Sequence, residues 1–159
     1  MRNALKVTTP TDREIVITRS FSAPQKQVWD AMVKPDLLRR WLLGPPGWKM
    51  DACENDVRVG GRYVHTWTHE NGQRLGMSGE YREVVPGVSV TRTEKFDMSA
   101  CPGEMPETIA KLALSEAGGK TTVTITLTYP TRAGRDGALQ SGMTQGMEAG
   151  YARLDDLLK

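Results

Sequence analysis

The sequence predicts an α+β fold in which a curved antiparallel sheet grips a long C-terminal helix. Three observations predict it. One strand and two short helices open the chain, strands joined by turns fill residues 48–130, and a helical period follows. A helix that comes after a run of hairpins has to cover the apolar face of their sheet. We therefore expect one domain over residues 13–159, preceded by a flexible N-terminal arm over residues 1–12.

Length and composition bound the class of protein. A chain of 159 residues suits one domain, and fractions of 38% hydrophobic and 25% charged residues exclude disorder and a membrane protein. No apolar run approaches the ~20 residues of a membrane span. The net charge of +2 does not indicate a nucleic-acid partner. Two separated cysteines, Cys53 and Cys101, and no visible secretory signal predict a cytoplasmic protein.

The opening elements follow from alternation and capping. Ser22 is a plausible N-cap for a first helix, with Pro24 in its first turn. A second short helix is expected from Asp36 to about Trp41, where Gly44-Pro45-Pro46-Gly47 stops it. One face of the strand that precedes both helices consists of Ile15, Ile17, Arg19 and Phe21.

Turn signals divide residues 48–130 into strands. Asn71-Gly72 is the strongest hairpin signal because both residues tolerate a positive φ. Gly60-Gly61, Pro86-Gly87 and Gly118-Gly119 predict further turns. The last strand alternates apolar residues with threonines, as expected where one face of an antiparallel sheet is buried. The strands predicted between the turns are Arg62–His69, Arg74–Val85, Val88–Phe96, Glu107–Ser115 and Thr121–Tyr129.

A single helix is predicted from about Arg135 to Leu158. Gly142, Gly146 and Gly150 repeat every four residues within it, and each costs about 0.5–1 kcal/mol relative to Ala. Two explanations are open: the helix packs closely on the sheet, or glycine and methionine leave a cavity there. The apolar stripe of this helix consists of Met143, Met147, Gly150, Leu154, Leu157 and Leu158.

Aromatic and polar residues share strand faces in a way that suits the wall of an amphipathic cavity. Tyr63, His65 and Trp67 alternate on one strand, and Met77 and Tyr81 on its hairpin partner. Such a face is too polar for a pure core and too aromatic for open solvent, although core packing is the alternative for each tryptophan. The candidate ligand-binding residues are Trp41, Trp48, His65, Trp67, Met77, Tyr81, Glu94, Met143 and Met147.

Strand geometry also predicts which way the charged residues face and how far apart the two histidines lie. Arg92 and Glu94 are expected to face inward with Val90, where the two charges can pair. His65 and His69 are about 13 Å apart on a strand at ~3.3 Å per residue, too far to share a metal ion. The sequence therefore predicts no metal site. It also contains no GxSxG, P-loop or GxGxxG motif, and no cofactor is predicted.

Several strings along the chain match a known family. They include Arg19–Pro24, Asp36–Trp41, Gly60–Tyr63, Gly79–Pro86 and Ser141–Met143. Together they resemble the START-like helix-grip superfamily (SRPBCC, Bet v-like), over roughly residues 13–159. The subfamily is the one homologous to the C-terminal domain of the heat-shock-protein-90 ATPase activator. The resemblance implies a seven-stranded antiparallel sheet curved around a long C-terminal helix, two short helices, and a cavity for hydrophobic, lipid-like or polycyclic aromatic molecules. It supplies no catalytic residues.

Three functions are consistent with these observations. The leading hypothesis is a binding protein whose partner is a hydrophobic small molecule held under the C-terminal helix. A polyketide cyclase- or aromatase-like enzyme would use the same cavity, with His65, Tyr81 and Glu94 assisting proton transfer. The third is an interaction module in stress response or chaperone regulation, although the sequence gives no support for a chaperone contact. A monomer and a homodimer are both open.

Overall fold

The computed structural model describes residues 5–43, 47–98 and 107–159. The predicted stop at Gly44-Pro45-Pro46 and the second cysteine, Cys101, lie outside these residues. The helices are α1 (Gln25–Val33), α2 (Pro35–Trp41), α3 (Arg132–Gln140) and α4 (Met143–Leu157). The strands are β1 (Lys6–Thr8), β2 (Glu14–Phe21), β3 (Trp48–Asn55), β4 (Arg62–His69), β5 (Arg74–Val85), β6 (Ser89–Met98), β7 (Thr108–Ala117) and β8 (Lys120–Thr128).

All of these strands form one antiparallel sheet in the order β1-β2-β8-β7-β6-β5-β4-β3. Strands β3 to β8 follow one another as hairpins, and β2 closes against β8 along its whole length. Bulges between Met50 and Ala52 and between Tyr81 and Glu83 interrupt the register, and bulges of this kind bend a strand. The predicted α+β fold, with helices packed on one face of a curved sheet, is confirmed, and each predicted glycine turn contains a glycine with positive φ.

The sheet has eight strands where seven are predicted. The additional strand is β1, which lies within the segment predicted to be an arm and pairs with β2 from Lys6–Thr18 to Thr8–Val16. Its three residues are all exposed. A strand this short, held by backbone hydrogen bonds and without a buried face, leaves no hydrophobic alternation in the sequence.

The C-terminal helix is divided, so the prediction of one helix from about Arg135 to Leu158 is wrong. The first part, α3, ends at Gln140, and α4 begins at Met143 after Gly142, whose φ is 84°. A left-handed residue ends an α-helix, and glycine adopts this conformation without steric cost. The first part also begins earlier than predicted, because the side chain of Thr131 caps it by accepting a hydrogen bond from Gly134 N.

The start of α1 differs from the prediction in a smaller way. Ser22 does not cap the helix, because Pro24 occupies the N-cap position and no side chain caps it. The helix therefore begins at Gln25, and α2 begins at Pro35, immediately after α1 ends. No helix among the described residues is long and apolar enough to cross a membrane.

A buried ion pair fixes α4 across the inner face of the sheet. The residues predicted to form one face of β2 are at most 1% exposed, and Arg19 is among them. Its guanidinium lies 2.7 Å from a carboxylate oxygen of Asp155 and 3.4 Å from one of Glu148, both on α4. Tyr151 and Leu154 of the same helix are buried in the core beside this pair. The helix is thereby positioned over β2, β7 and β8.

Candidate functional site

The inner faces of β3 to β6 carry polar side chains that the strand register brings together. Directly opposed residues of antiparallel strands point to the same face of the sheet. Tyr63 opposes Asn55, Tyr81 opposes Arg92, and His65 lies two residues beyond Tyr63. We call this group the inner polar cluster, and its members are Asn55, Tyr63, His65, Tyr81, Arg92 and Glu94.

Arg92 is central to the inner polar cluster. Its guanidinium carbon lies 4.0 Å from the centre of the Tyr63 ring and 6.0 Å from that of Tyr81, within the range of cation–π attraction. It donates hydrogen bonds to Glu94 at 3.1 Å and to the Tyr81 hydroxyl at 3.5 Å. Burial acts to lower the pKa of Arg92, whereas Glu94 and both tyrosines raise it, and the net shift is upward. Arg92 is therefore a permanent cation on the inner face.

The ion pair predicted between Arg92 and Glu94 is present on the predicted face. Val90 on the same face is almost completely buried, yet the side chains of Arg92 and Glu94 remain 21% and 12% exposed. A fully packed core would leave neither charge accessible to solvent. The pair therefore borders space that water can reach.

His65 is a buried imidazole whose hydrogen bonding is incomplete. It is 1% exposed, and its Nδ1 has no hydrogen-bond partner among the described residues. Its ring centre is 5.3 Å from that of Tyr63 and 6.1 Å from that of Trp67. Burial, together with the nearby charge of Arg92, lowers the pKa of His65 to about 4. The imidazole is therefore neutral at pH 7.

The two tyrosines of the cluster are held by hydrogen bonds to the surrounding strands. The Tyr63 hydroxyl donates to the carbonyl oxygen of Thr93 at 2.7 Å, and burial raises the pKa of Tyr63. The Tyr81 hydroxyl donates to Asn55 Oδ1, and Asn55 in turn donates to Val33 O at 2.7 Å. These bonds fix the orientation of the rings on either side of Arg92 and tie the cluster to the end of α1.

Apolar packing is divided between the helices and the inner polar cluster. The apolar residues of α4 pack with β2, β7, β8, α1 and α2 in two core clusters. A third cluster contains Tyr63, Tyr81 and Val90, with half-buried Met77, Leu112 and Trp29 of α1 packed against it. Leu112 and Trp29 also pack against the first core cluster. Within the described part of the chain, this third cluster has no apolar packing partner on α3 or α4. The inner polar cluster and α4 face the same interior without being joined by direct apolar contact.

The glycines of α4 serve two different purposes. A Cβ at Gly150 would lie 3.6 Å from the Trp41 ring, an ordinary van der Waals contact, so α4 packs directly on α2 at this point. A Cβ at Gly146, one turn earlier on the same side, would have no described heavy atom within 4 Å. The helix therefore contacts α2 at Gly150 and leaves open space at Gly146, and a cavity beside Gly146 stays a prediction.

The predicted site residues separate into four places. His65, Trp67, Met77, Tyr81 and Glu94 share the inner face of β4 to β6. Trp67 is buried there and donates its N–H to Leu42 O at 2.8 Å, next to the end of α2. The other predicted residues lie elsewhere: Trp41 in the core, Trp48 on the edge strand β3, and Met143 and Met147 on α4.

The surroundings of these other residues differ. Trp41 donates its N–H to Ala31 O at 2.8 Å and packs on Tyr151, with ring centres 5.7 Å apart. Trp48 contacts the ring of His69 at 5.1 Å. Met143 and Met147 are half-buried and point into the core clusters under α4. Trp41 is therefore a core residue that supports α4.

Asn55, Tyr63 and Arg92 belong to the cluster but were not among the predicted site residues. The sequence indicates the facing of Tyr63 and Arg92, because Tyr63 alternates with His65 on β4 and Arg92 alternates with Glu94 on β6. It gives no such indication for Asn55, since only the register of β3 against β4 reveals its position. Among residues 5–43, 47–98 and 107–159, no three His, Cys, Asp or Glu side chains are grouped closely enough to hold a metal ion.

The chain is similar to one protein family and to several solved structures. A family model described as activator of Hsp90 ATPase homolog 1-like protein matches residues 22–159. A solved structure from Rhodobacter sphaeroides is 28% identical, with a TM-score of 0.88 and 97% of each chain covered. One from Staphylococcus epidermidis is 27% identical, with a TM-score of 0.80, covering 96% of this chain and 93% of that one.

A third structure, from Mycobacterium smegmatis, is 23% identical, with a TM-score of 0.85 and 98% of each chain covered. At that level of identity the likeness shows a common fold alone. No curated protein matches the chain significantly.

Proposed function

The chain belongs to the family of activator of Hsp90 ATPase homolog 1-like proteins, and from this premise we propose that it binds a hydrophobic or aromatic small molecule. The ligand lies between the inner face of β4 to β6 and α4. The observation that carries the proposal is the inner polar cluster, which contains a charged pair and a neutral imidazole. Among the described residues, the apolar cluster beside it has no packing partner on α4. A few polar groups that converge among apolar walls are typical of ligand sites.

Burial energetics support this proposal. A charged pair on an inner face costs free energy of desolvation, and packed hydrophobic residues of the same volume often give a more stable fold. The partial exposure of Arg92 and Glu94 indicates that the pair is not an element of a closed core. A role in ligand binding explains why these polar groups lie there.

The walls of the proposed site are apolar and adaptable. Met77 and Leu112 lie beside the inner polar cluster, and Met143 and Met147 approach from the side of α4. Methionine side chains are flexible and polarizable, so they fit ligands of different shapes. In this proposal Trp67 forms the floor near the end of α2, and Trp48 lies at the rim beside it.

The enzymatic alternative receives less support from the geometry. A general base works best with a pKa near the working pH, whereas burial holds the pKa of His65 at about 4 and raises that of Tyr63. The third alternative, an interaction module, would need a contiguous exposed apolar patch. The most exposed valines, Val59 and Val85, lie in different places, Val59 in the turn before β4 and Val85 at the end of β5. The cytoplasmic location and the choice between monomer and homodimer stay predictions.

Titration with the uncharged fluorescent dye N-phenyl-1-naphthylamine tests the proposed function. We expect saturable binding with enhanced dye emission. Gly146→Leu places a side chain in the open space beside α4 and should weaken binding at least tenfold. Gly137→Leu is the matched control, because Gly137 is an exposed glycine of α3 that likewise has no heavy atom within 4 Å of its Cβ position. No saturable binding to the wild type, or equal binding by both variants, contradicts the proposal.

Native mass spectrometry of the protein purified from its own host complements the dye titration. We expect a small molecule of low polarity to co-purify with the folded chain and to be released on denaturation. Gly146→Leu should carry less of it than Gly137→Leu does. A molecule retained equally by both variants would place it outside the proposed site.

A further inference from the structure

Resting on the proposed function, we propose that the ligand is an uncharged aromatic molecule whose carbonyl oxygen accepts hydrogen bonds from Arg92, and that the site excludes anions. Fatty acids and aromatic carboxylates are therefore poor ligands. The proposal rests on the unused donors of Arg92, the charge balance of the inner face and the unpartnered nitrogen of His65.

The guanidinium of Arg92 has more donors than the chain uses. Arginine carries five N–H groups. The hydrogen bonds of Arg92 within the described part of the chain go to Glu94 and, at the long distance of 3.5 Å, to Tyr81. The side chain is also 21% exposed. The remaining N–H groups are therefore available to an acceptor on the ligand.

The charge balance of the inner face selects against an anion. The positive charge of Arg92 is already compensated by Glu94, 3.1 Å away. Arg19, a second buried cation, is paired with Asp155 and Glu148. An anionic ligand would bring a second negative charge next to Glu94, whose side chain is only 12% exposed, and an unpaired charge in such surroundings is costly. A carbonyl group accepts the same hydrogen bonds without that cost.

His65 and the buried tyrosines add no positive charge to this interior. Burial keeps His65 in its neutral form at pH 7, and it raises the pKa values of Tyr63, Tyr129 and Tyr151. Tyr81 is held as a hydrogen-bond donor to Asn55. None of these groups supplies a positive charge to balance a carboxylate. The two arginines are paired with three carboxylates, so this interior offers hydrogen bonds but no surplus positive charge.

His65 supplies the second polar contact. Its Nδ1 is buried, and no described residue satisfies it, so folding leaves this atom without the partner it has in water. A neutral imidazole can donate at one nitrogen and accept at the other, which suits a hydroxyl or carbonyl group. His65 and Arg92 both lie beside the ring of Tyr63, so one small molecule can reach both. The rings of Tyr63 and Trp67 provide aromatic surface on either side of His65.

Three naphthalenes of nearly the same shape test the proposal. 2-Acetylnaphthalene carries a carbonyl acceptor, 2-ethylnaphthalene carries none, and 2-naphthoate is an anion at pH 7. Affinities are measured by calorimetry or by quenching of tryptophan fluorescence. We expect 2-acetylnaphthalene to bind about tenfold or more tightly than 2-ethylnaphthalene, as one charge-assisted hydrogen bond provides, and 2-naphthoate to bind most weakly.

A double variant identifies the donor. Arg92→Met with Glu94→Gln removes the guanidinium without leaving a lone carboxylate, and it should equalise the affinities of the ketone and the hydrocarbon. The matched control is Arg82→Met with Glu80→Gln. This pair is also separated by two residues on one strand, but it lies on the outer face with side chains 56% and 45% exposed. The control should retain the full preference for the ketone.

The outcomes separate this inference from the proposed function. Equal binding of ketone and hydrocarbon to the wild type, or 2-naphthoate binding as tightly as the ketone, overturns the inference while the binding function stands. Binding of N-phenyl-1-naphthylamine without binding of any naphthalene probe also overturns it. If neither the dye nor any probe binds, the proposed function itself fails. If the double variant does not fold, the three wild-type affinities decide alone.

Discussion

At the scale of single residues, His65 combines near-complete burial with an unsatisfied ring nitrogen. Its pKa is about 4 in the folded chain, against 6.5 for an unperturbed imidazole. The unfolded chain therefore takes up a proton near pH 6.5, while the folded chain resists protonation until about pH 4. The contribution of His65 to the free energy of unfolding is therefore complete above pH 6.5 and is lost as the pH falls from about 6.5 to about 4.

The variant His65→Leu tests this pH dependence. We expect the wild type to lose roughly 2–3 kcal/mol of unfolding free energy through His65 between pH 7 and pH 4. Urea unfolding at both pH values should show that His65→Leu loses less unfolding free energy between pH 7 and pH 4. At pH 7 the variant should be at least as stable as the wild type, because it removes an unpartnered polar atom. His69→Leu is the control and should keep the wild-type loss. An unchanged loss in His65→Leu would mean that the effect arises at other groups.

Gly146 and Gly150 give a second prediction at this scale. Gly150→Leu should destabilise the fold by about 1–3 kcal/mol, because the added side chain meets Trp41. Gly146→Leu should cost little, because its Cβ position is open and leucine favours the helix by about 1 kcal/mol over glycine. Thermal unfolding of the two variants measures the difference. Equal destabilisation would mean that both glycines are needed for close packing.

At the scale of elements, the position of α4 depends on Arg19. This guanidinium is 1% exposed, and its partners Asp155 and Glu148 are 27% and 31% exposed. Removing one partner of a buried charge is expensive because the other stays buried without full compensation. The helix that closes the proposed site is thus anchored to β2 by electrostatics as well as by Tyr151 and Leu154.

Asp155→Asn and Asp156→Asn form a matched pair that tests this anchor. Asp155→Asn should lower the free energy of unfolding by about 2–4 kcal/mol, because the closer of the two carboxylates that pair with Arg19 loses its charge and Glu148 lies 3.4 Å away. Asp156→Asn on the same helix breaks an exposed pair with Lys159 and should cost no more than about 0.5 kcal/mol. Urea unfolding at pH 7 gives both values. Similar losses in the two variants would argue against a special role for Arg19.

The elements that the sequence predicts well are those with a buried face and a marked end. The strands β4, β5 and β8 alternate clearly and are bounded by glycine turns, so their limits agree with the prediction to within about one residue. The break at Gly142 was missed because the apolar stripe continues across it, and a glycine in a helical pattern does not by itself reveal a positive φ. In the same way, β1 was missed because it buries no side chain.

At the scale of the whole molecule, some features of the candidate site follow from the pattern of one strand, and others depend on contacts between elements far apart in the sequence. The inward placement of Arg92 and Glu94 follows from their alternation with Val90, so it could be predicted from one strand. The contact between Trp41 and Gly150 joins α2 to α4, and the role of Trp41 as a core residue appears only once the fold brings them together. A tryptophan can be predicted as a ligand-binding residue from its type, but whether its ring is accessible to a ligand depends on packing.

The division of the apolar core leads to the last prediction. Because α4 and the inner polar cluster lack direct apolar contact, a ligand between them would join the two sides and stabilise the fold as one unit. A ligand that binds only the folded chain adds about 2.7 kcal/mol at a concentration 100 times its Kd. For a domain of this size that corresponds to a rise in Tm of roughly 5–10 °C.

N-phenyl-1-naphthylamine at 100 times its Kd for the wild type should therefore raise the Tm of the wild type and of Gly137→Leu equally, and should raise that of Gly146→Leu by about half as much or less. Hydrogen exchange should slow in two separate places at once, along β4 to β6 and along α4, because the ligand restrains both sides of the space that it fills. Protection confined to α4 would indicate that the dye lies on the outer surface of the helix. Protection confined to the strands would place it on the sheet without contact to α4. Only simultaneous protection is consistent with a ligand held between the sheet and the helix.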